Sequence, residues 1–222
     1  MSVLTAQEAR VLLEAEWEDI EDADRFLPSM SLWDALKVEI PGLTKHEPMV
    51  IAMDAGISSD LFGLVGTTRH WERHDECAVR FVMKWGAKKG GEIDFEGTDE
   101  EPGPLKVLKM LRESYNIVMV TYDPYEMRYA ASQIRKEGSV WLKEFGQTNL
   151  REQADRFLYD LIIQRKLWHD GDKDLRDHIS NSDRKLSVDG KRMRLVKRMD
   201  SQKIDLAVSL SMATWQIMRL NV

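Results

Sequence analysis

The sequence has one cysteine, Cys77, in 222 residues. No internal disulfide can form, and a reducing, cytosolic setting fits. Its five histidines are scattered, whereas structural zinc needs several Cys or His at short spacing. No apolar run approaches the about 18 residues of a membrane span. The first residues, MSVLTAQEAR, lack the basic-then-apolar order of a secretory signal. Four motifs are also missing: the phosphate loop G-x-x-x-x-G-K-[ST], and G-x-G-x-x-G, H-E-x-x-H and G-x-S-x-G. The nearest approach to the first, GAKKGG at 86–91, has neither its spacing nor its hydroxyl. His70 and His74 flank a β-turn with no third ligand nearby, which predicts a surface turn. His169 in LWHDGDKDL reads as a loop residue. Trp85 and Trp168, near loops, read first as core material, with stacking on nucleic-acid bases as the lesser alternative.

What is present is an ordinary globular composition, 43% hydrophobic and 32% charged, long enough for one substantial domain plus an accessory element. The net charge of -6 argues weakly against nucleic acid, but its distribution matters more. Residues 8–24 hold eight acids and one Arg, and residues 92–101 hold six acids and no base. Residues 184–203, by contrast, hold eight Lys or Arg against two Asp. The chain therefore pairs acidic surfaces with one concentrated basic segment.

The spacing predicts a helix near 6–26, with Thr5 and Glu8 at capping-box positions. A short second helix in LWDALKVE ends by Pro41-Gly42. Residues 1–45 thus read as a helical lead-in and residues 46–222 as the main domain. MVIAMD (49–54), LFGLVGTTRH (61–70) and ECAVRFVMKW (76–85) read as three strands, adjacent enough to pair as antiparallel neighbours. The Gly-rich, acidic 86–104 reads as a surface loop. A helix in LKVLKMLRESY, a buried strand in NIVMVTYD, a helix in YEMRYAASQIRKE, a strand in SVWLKEF and a long amphipathic helix in NLREQADRFLYDLIIQRK follow. DLRDHISNS allows a further short helix. RKLSVDGKRMRLVKR (184–198) alternates across Asp189-Gly190, a strong hairpin signal. The last helix, within SQKIDLAVSLSMATWQIMRL, is apolar almost all round and should be buried. The predicted class is α/β: a mixed sheet, three antiparallel strands and then parallel ones, flanked by helices and carrying a basic β-hairpin.

Three carboxylates share an odd placement. Asp54 ends the first strand, and Asp123 ends NIVMVTYD, kept extended by Pro124. Asp205 sits in the first turn of the last helix. If the strands at 49–54 and 117–123 are parallel neighbours, Asp54 and Asp123 lie side by side at the carboxyl end of the sheet, where open α/β sheets bind ligands. Singly, each Asp reads as a turn or N-cap residue. Together, three carboxylates repel one another, and the arrangement becomes sensible with Mg²⁺ or Mn²⁺. Two such ions about 3.5–4 Å apart can activate a water and stabilise the leaving oxygen of a phosphodiester. Asp54 would then serve both ions, Asp123 one and Asp205 the other, with Asp60 and Asp200 as auxiliary candidates.

LWDALKVEIPGLTKHEPMVIAMDAGISSDLFGLVGTTRH, IVMVTYDPYEM, LYDLIIQRKLWHDGDKDLRDHISNS and KRMDSQKIDLAVSLSMA, in that order and spacing, together resemble the C-terminal nuclease domain of bacteriophage large terminase subunits, from about residue 30 to 217. The resemblance implies a ribonuclease H-like fold and a two-metal endonuclease that cuts concatemeric double-stranded viral DNA. The family's three acids fall on Asp54, Asp123 and Asp205. A full large terminase also has an ATPase motor with a phosphate loop. This sequence has none, so the resemblance implies an isolated nuclease domain, or a fragment of a longer protein, that does not translocate DNA by itself, with the acidic residues 1–28 as the tail of a linker. It further implies a motor domain, a portal and a small terminase subunit as partners, and the host cytoplasm as the setting.

Arg184, Lys185, Lys191, Arg192, Arg194, Lys197 and Arg198 gain meaning beside such a centre. A positive ribbon can hold phosphates without reading sequence, so weak, salt-sensitive DNA binding is expected. A docking surface for motor or portal is the competing reading of the hairpin. Another ribonuclease H-like nuclease, a junction resolvase or hybridase, and a non-catalytic docking module are the rivals for the whole domain.

Overall fold

A computed structural model describes residues 25–55, 61–87, 93–124, 127–137, 141–187 and 192–221. Eight strands are assigned among them: β1 (Met49–Ala55), β2 (Leu61–Arg69), β3 (Cys77–Gly86), β4 (Ile117–Tyr122), β5 (Trp141–Glu144), β6 (Leu167–Trp168), β7 (Ser182–Leu186) and β8 (Met193–Lys197). The helices are α1 (Ser31–Asp34), α2 (Pro104–Ser114), α3 (Arg128–Glu137), α4 (Asn149–Ile163), α5 (Lys173–Ser180) and α6 (Asp205–Ile217). Six strands form one sheet in the order β5-β4-β1-β2-β3-β6, and β7 pairs with β8 alone. β1, β2 and β3 are antiparallel neighbours. β4 lies parallel to β1, and β5 parallel to β4. This is the predicted mixed sheet.

β1 is apolar at nearly every position because it is covered on both faces. Its alternation sorts the two layers. Met49, Ile51 and Met53 share a core with Val107, Leu108 and Leu111 of α2 and Ala131 and Ile134 of α3. Val50 and Ala52 face the other way. Ala52 packs with Val208 and Met212 of α6, and Val50 belongs to the core that holds Leu206 and Leu210. By the same alternation Asp54 falls on the α6 side. α6 lies on β1 and β2 and is covered in turn by α4 and α5. Twelve of its thirteen residues are buried, as its all-round apolar pattern predicts.

The structure departs from the sequence reading in three places. The second helix stops at Asp34 instead of running to Pro41. The chain there bends to serve the core: Phe26, Leu27, Trp33 and Leu36 are buried with the α4–α6 layer. The ends of the segment are fastened by Phe26 N–H donating to Ser182 O (3.0 Å) and Val38 N–H to His169 O (2.9 Å). The part of the lead-in from Phe26 to Leu36 is therefore integral to the packed domain. The predicted 6–26 helix lies almost wholly outside the described residues. LWH at 167–169 is not simply loop: Leu167 and Trp168 add a short strand parallel to β3. His169 is 1% exposed and stacks on Trp33 at 4.2 Å. His70 is also buried rather than part of a surface turn. Its Nδ1 accepts the Glu72 and Arg73 N–H groups, which closes the turn from inside. The hairpin tip, 188–191, with Asp189 and Gly190, lies outside the described residues.

Candidate active site

Asp54 is the penultimate residue of β1 and is 8% exposed. It pairs across the ladder with Gly63 of β2. On its other side the parallel register sets Met53 beside Tyr122, so Asp123 is the next residue beside Asp54. Asp123 is half-buried. Asp205 is the first residue of α6 and is 3% exposed. The start of α6 presses on Gly63: a Cβ there would lie 3.1 Å from the Asp205 carbonyl carbon and 3.2 Å from Leu206 N. A larger side chain would push the helix start off the strand. Gly63, opposite Asp54 and beneath Asp205, lets the two acids approach.

The acids share one electrostatic field. Burial pushes the Asp54 carboxyl well above the ordinary carboxylate range; Arg151 opposes this, the Asp205 and Asp123 charges add to it, and Arg194 opposes it. Among the described residues no group of three or more His, Cys, Asp or Glu is gathered into a ready-made metal cage. The donors still suit a hard divalent cation. They are carboxylate oxygens, mutually repelling, in a largely buried setting. Mg²⁺ is ordinarily held by one or two carboxylates with waters and substrate phosphate, not by an all-protein cage.

Two residues beside this site escaped the sequence reading. Arg151 and Asp155 of α4 form a buried ion pair at 2.7 Å, with side chains 3% and 0% exposed. Asp155 Oδ1 also accepts the Ser211 hydroxyl (2.6 Å), and Oδ2 accepts Leu195 N–H (2.8 Å). One carboxylate thus joins α4, α6 and β8. The signal was available: residues 151, 155, 158 and 162 share a helical face, so a charged pair interrupts an apolar stripe.

The basic hairpin is less uniform than its sequence. Arg194 turns inward, half-buried, and donates to Gln147 O (2.7 Å); burial and then Arg151 pull its pKa down. Arg192 reaches the start of α4, 2.7 Å from Asn149 Oδ1 and 3.1 Å from Glu152. Arg184 lies over the Tyr159 ring at 5.4 Å. Lys185, Lys197 and Arg198 are exposed. Lys191 lies outside the described residues, as does Asp60, and Asp200 is exposed at the surface.

His178 of α5 holds the first turn of α6 at the residue after Asp205. Its Nδ1 accepts the Leu206 N–H at 3.0 Å, and burial drives its pKa down to about 4. The neutral ring is the form that can accept this bond. A depressed folded pKa means that the unfolded chain binds the proton more readily between about 6.5 and about 4. Stability from this group is therefore present above that window and lost as pH falls through it. His178→Gln should flatten that part of the stability curve, measured by urea titration across the window.

A match to the family model "Terminase large subunit, endonuclease domain" covers residues 81–220. The chain is 25% identical over 228 residues to the Gene 13 protein of Mycobacterium phage D29, a match covering 96% of this chain and 36% of that protein. It spans about a third of the length of that relative. The fold resembles the large terminase of bacteriophage HK97, with a TM-score of 0.70 and 17% identity, covering 85% of this chain and 43% of that one. It also resembles the large terminase nuclease of thermophilic phage G20c crystallised with magnesium, with a TM-score of 0.59 and 18% identity, covering 87% of this chain and 98% of that one. With the family model spanning more than half its length, the chain belongs to the endonuclease-domain family of the phage terminase large subunit.

Proposed function

We propose that the domain hydrolyses phosphodiester bonds of double-stranded DNA during viral genome packaging, using two Mg²⁺ or Mn²⁺ ions held by Asp54, Asp123 and Asp205. The observation that carries the reading is the shared field of those three acids at the carboxyl end of β1 and β4, with α6 pressed down on Gly63. The magnesium-bound state of the G20c nuclease, a protein of the same fold, supports a divalent ion here. Divalent ions bound there would lower the pKa of a water and neutralise charge developing on the phosphate. The chain's own residues do the rest. Asp54 and Asp123 present carboxylates from two adjacent strand ends, so their spacing is fixed by the sheet. Asp205 is fixed by a helix buried on nearly all sides. Arg194 and Arg151 temper the negative field that would otherwise repel DNA. The exposed Lys185, Lys197 and Arg198 can hold phosphates away from the acids. Membership of the terminase family supports double-stranded DNA as the substrate over the junction and hybrid substrates of the resolvase and hybridase readings. An ATPase motor domain, a portal and a small terminase subunit remain the partners proposed for it.

Plasmid nicking and linearisation in millimolar Mn²⁺ tests the activity directly. Melting with and without Mn²⁺ tests the site independently. An ion that binds only the folded state stabilises it by about 2.7 kcal/mol at a hundred times its Kd. A rise of several degrees in Tm is expected. A Tm that does not move, with no cleavage, would favour a non-catalytic docking module.

A further inference from the structure

A cavity of about 680 Å³ opens beside Asp123, lined by Tyr122, Pro124, Arg135, Glu144, Gly146, Gln147 and Thr148. Tyr122 and Pro124 are the chain neighbours of Asp123. Gln147 connects the cavity to the acid site from the other side: its side-chain oxygen accepts from Arg151 Nη1 (3.1 Å) and its carbonyl from Arg194 Nη1 (2.7 Å). The cleft therefore runs over the carboxyl ends of β4 and β5, beside the strand end that is followed by Asp123. Its size falls in the range of about 300–1,000 Å³ usual for ligand clefts, and its wall carries a guanidinium, a phenol and an amide.

Resting on the nuclease reading above, we propose that this cleft seats the sugar-phosphate backbone of the DNA strand next to the cut, with Arg135 as its phosphate contact. The guanidinium is positioned for that use. Arg135 Nη2 donates to Tyr122 Oη (2.6 Å) and to Glu144 Oε1 (3.2 Å), and Tyr122 Oη donates to Glu144 Oε1 (3.1 Å). The Tyr122 ring is buried and gives the group a rigid support. The Arg135–Glu144 pair is different: its side chains are 55% and 60% exposed. Such a pair contributes little to stability and is easily exchanged. A phosphate oxygen makes the same charge-assisted bonds as a carboxylate. Glu144 thus occupies the guanidinium when DNA is absent and competes with phosphate when it is present.

This competition gives two variants opposite signs. Binding of a short labelled duplex to the full chain would be followed by anisotropy in metal-free buffer, from about 50 to 200 mM salt. Arg135→Gln should weaken binding several-fold and lower the salt slope by about 1. Glu144→Gln should tighten binding several-fold, because it frees the guanidinium. Tm measured alongside reports whether either variant harms the fold. If both variants weaken binding, or neither changes it, Arg135 serves only to tie α3 to β5 and the proposal fails. Because binding is read without cleavage, the two readings fail separately. A wild-type protein that cuts DNA but shows no effect of either variant sinks the cleft alone. One that cuts nothing sinks the nuclease reading while the binding signs still decide the cleft.

Discussion

Asp54→Asn should abolish plasmid cleavage in Mn²⁺ and leave the domain folded. On the two-ion proposal, losing the carboxylate that would serve both cations takes away several kcal/mol of transition-state stabilisation; about 4 kcal/mol is roughly a thousandfold in rate. The fold should tolerate the change because the wild-type charge is a burden in metal-free buffer. Burial, with Asp205 and Asp123 adding to it, raises the Asp54 pKa above 3.8. A raised folded pKa means stability is full below the ordinary carboxylate range and is lost as pH rises through the folded value. The Asn variant should therefore match or exceed the wild-type Tm at neutral pH without metal and lose the Mn²⁺-induced rise. A variant that still cuts would move the site elsewhere. The pH dependence separates cleanly from that of His178, which runs the other way: its contribution is lost as pH falls towards about 4.

Asp155→Ala should be the most destabilising single change at the site. The substitution strands a buried guanidinium, the Ser211 hydroxyl and the Leu195 N–H together. Breaking a buried ion pair from one side costs about 3–5 kcal/mol, a large share of the about 5–15 kcal/mol that holds a domain folded. Urea titration would read the loss directly. Asp155→Asn keeps an oxygen acceptor and should recover part of it. If Asp155→Ala unfolds at the wild-type midpoint, the carboxylate does not join the three elements as the structure indicates.

The sheet was legible because its signals are local. MVIAMD, LFGLVGTTRH and ECAVRFVMKW announce their strands by β-formers and short polar turns, and NIVMVTYD ends on an acid held extended by Pro124. The placement of the three acids was legible because strand ends and a helix start are themselves marked in the sequence. Residues whose role depends on partners far along the chain were not. Trp33 is buried by stacking on His169, 136 residues later, and nothing within LWDALKVE states that. Arg194 reads as one more cation in a run of them, and only the packing of β8 against α4 turns it inward. The shortness of α1 reflects the same tertiary pull: the chain leaves helical form early so that Leu36 can reach the core.

The chain enters the described domain at Arg25, which bridges Asp183, and at Phe26, whose N–H is bonded to Ser182 O. Both anchors sit at the root of β7. Tension on the polypeptide upstream would reach the basic hairpin before it reached the β1–β4 floor that carries Asp54. If the hairpin holds DNA as proposed, that hold would register a tug before the proposed cutting centre did.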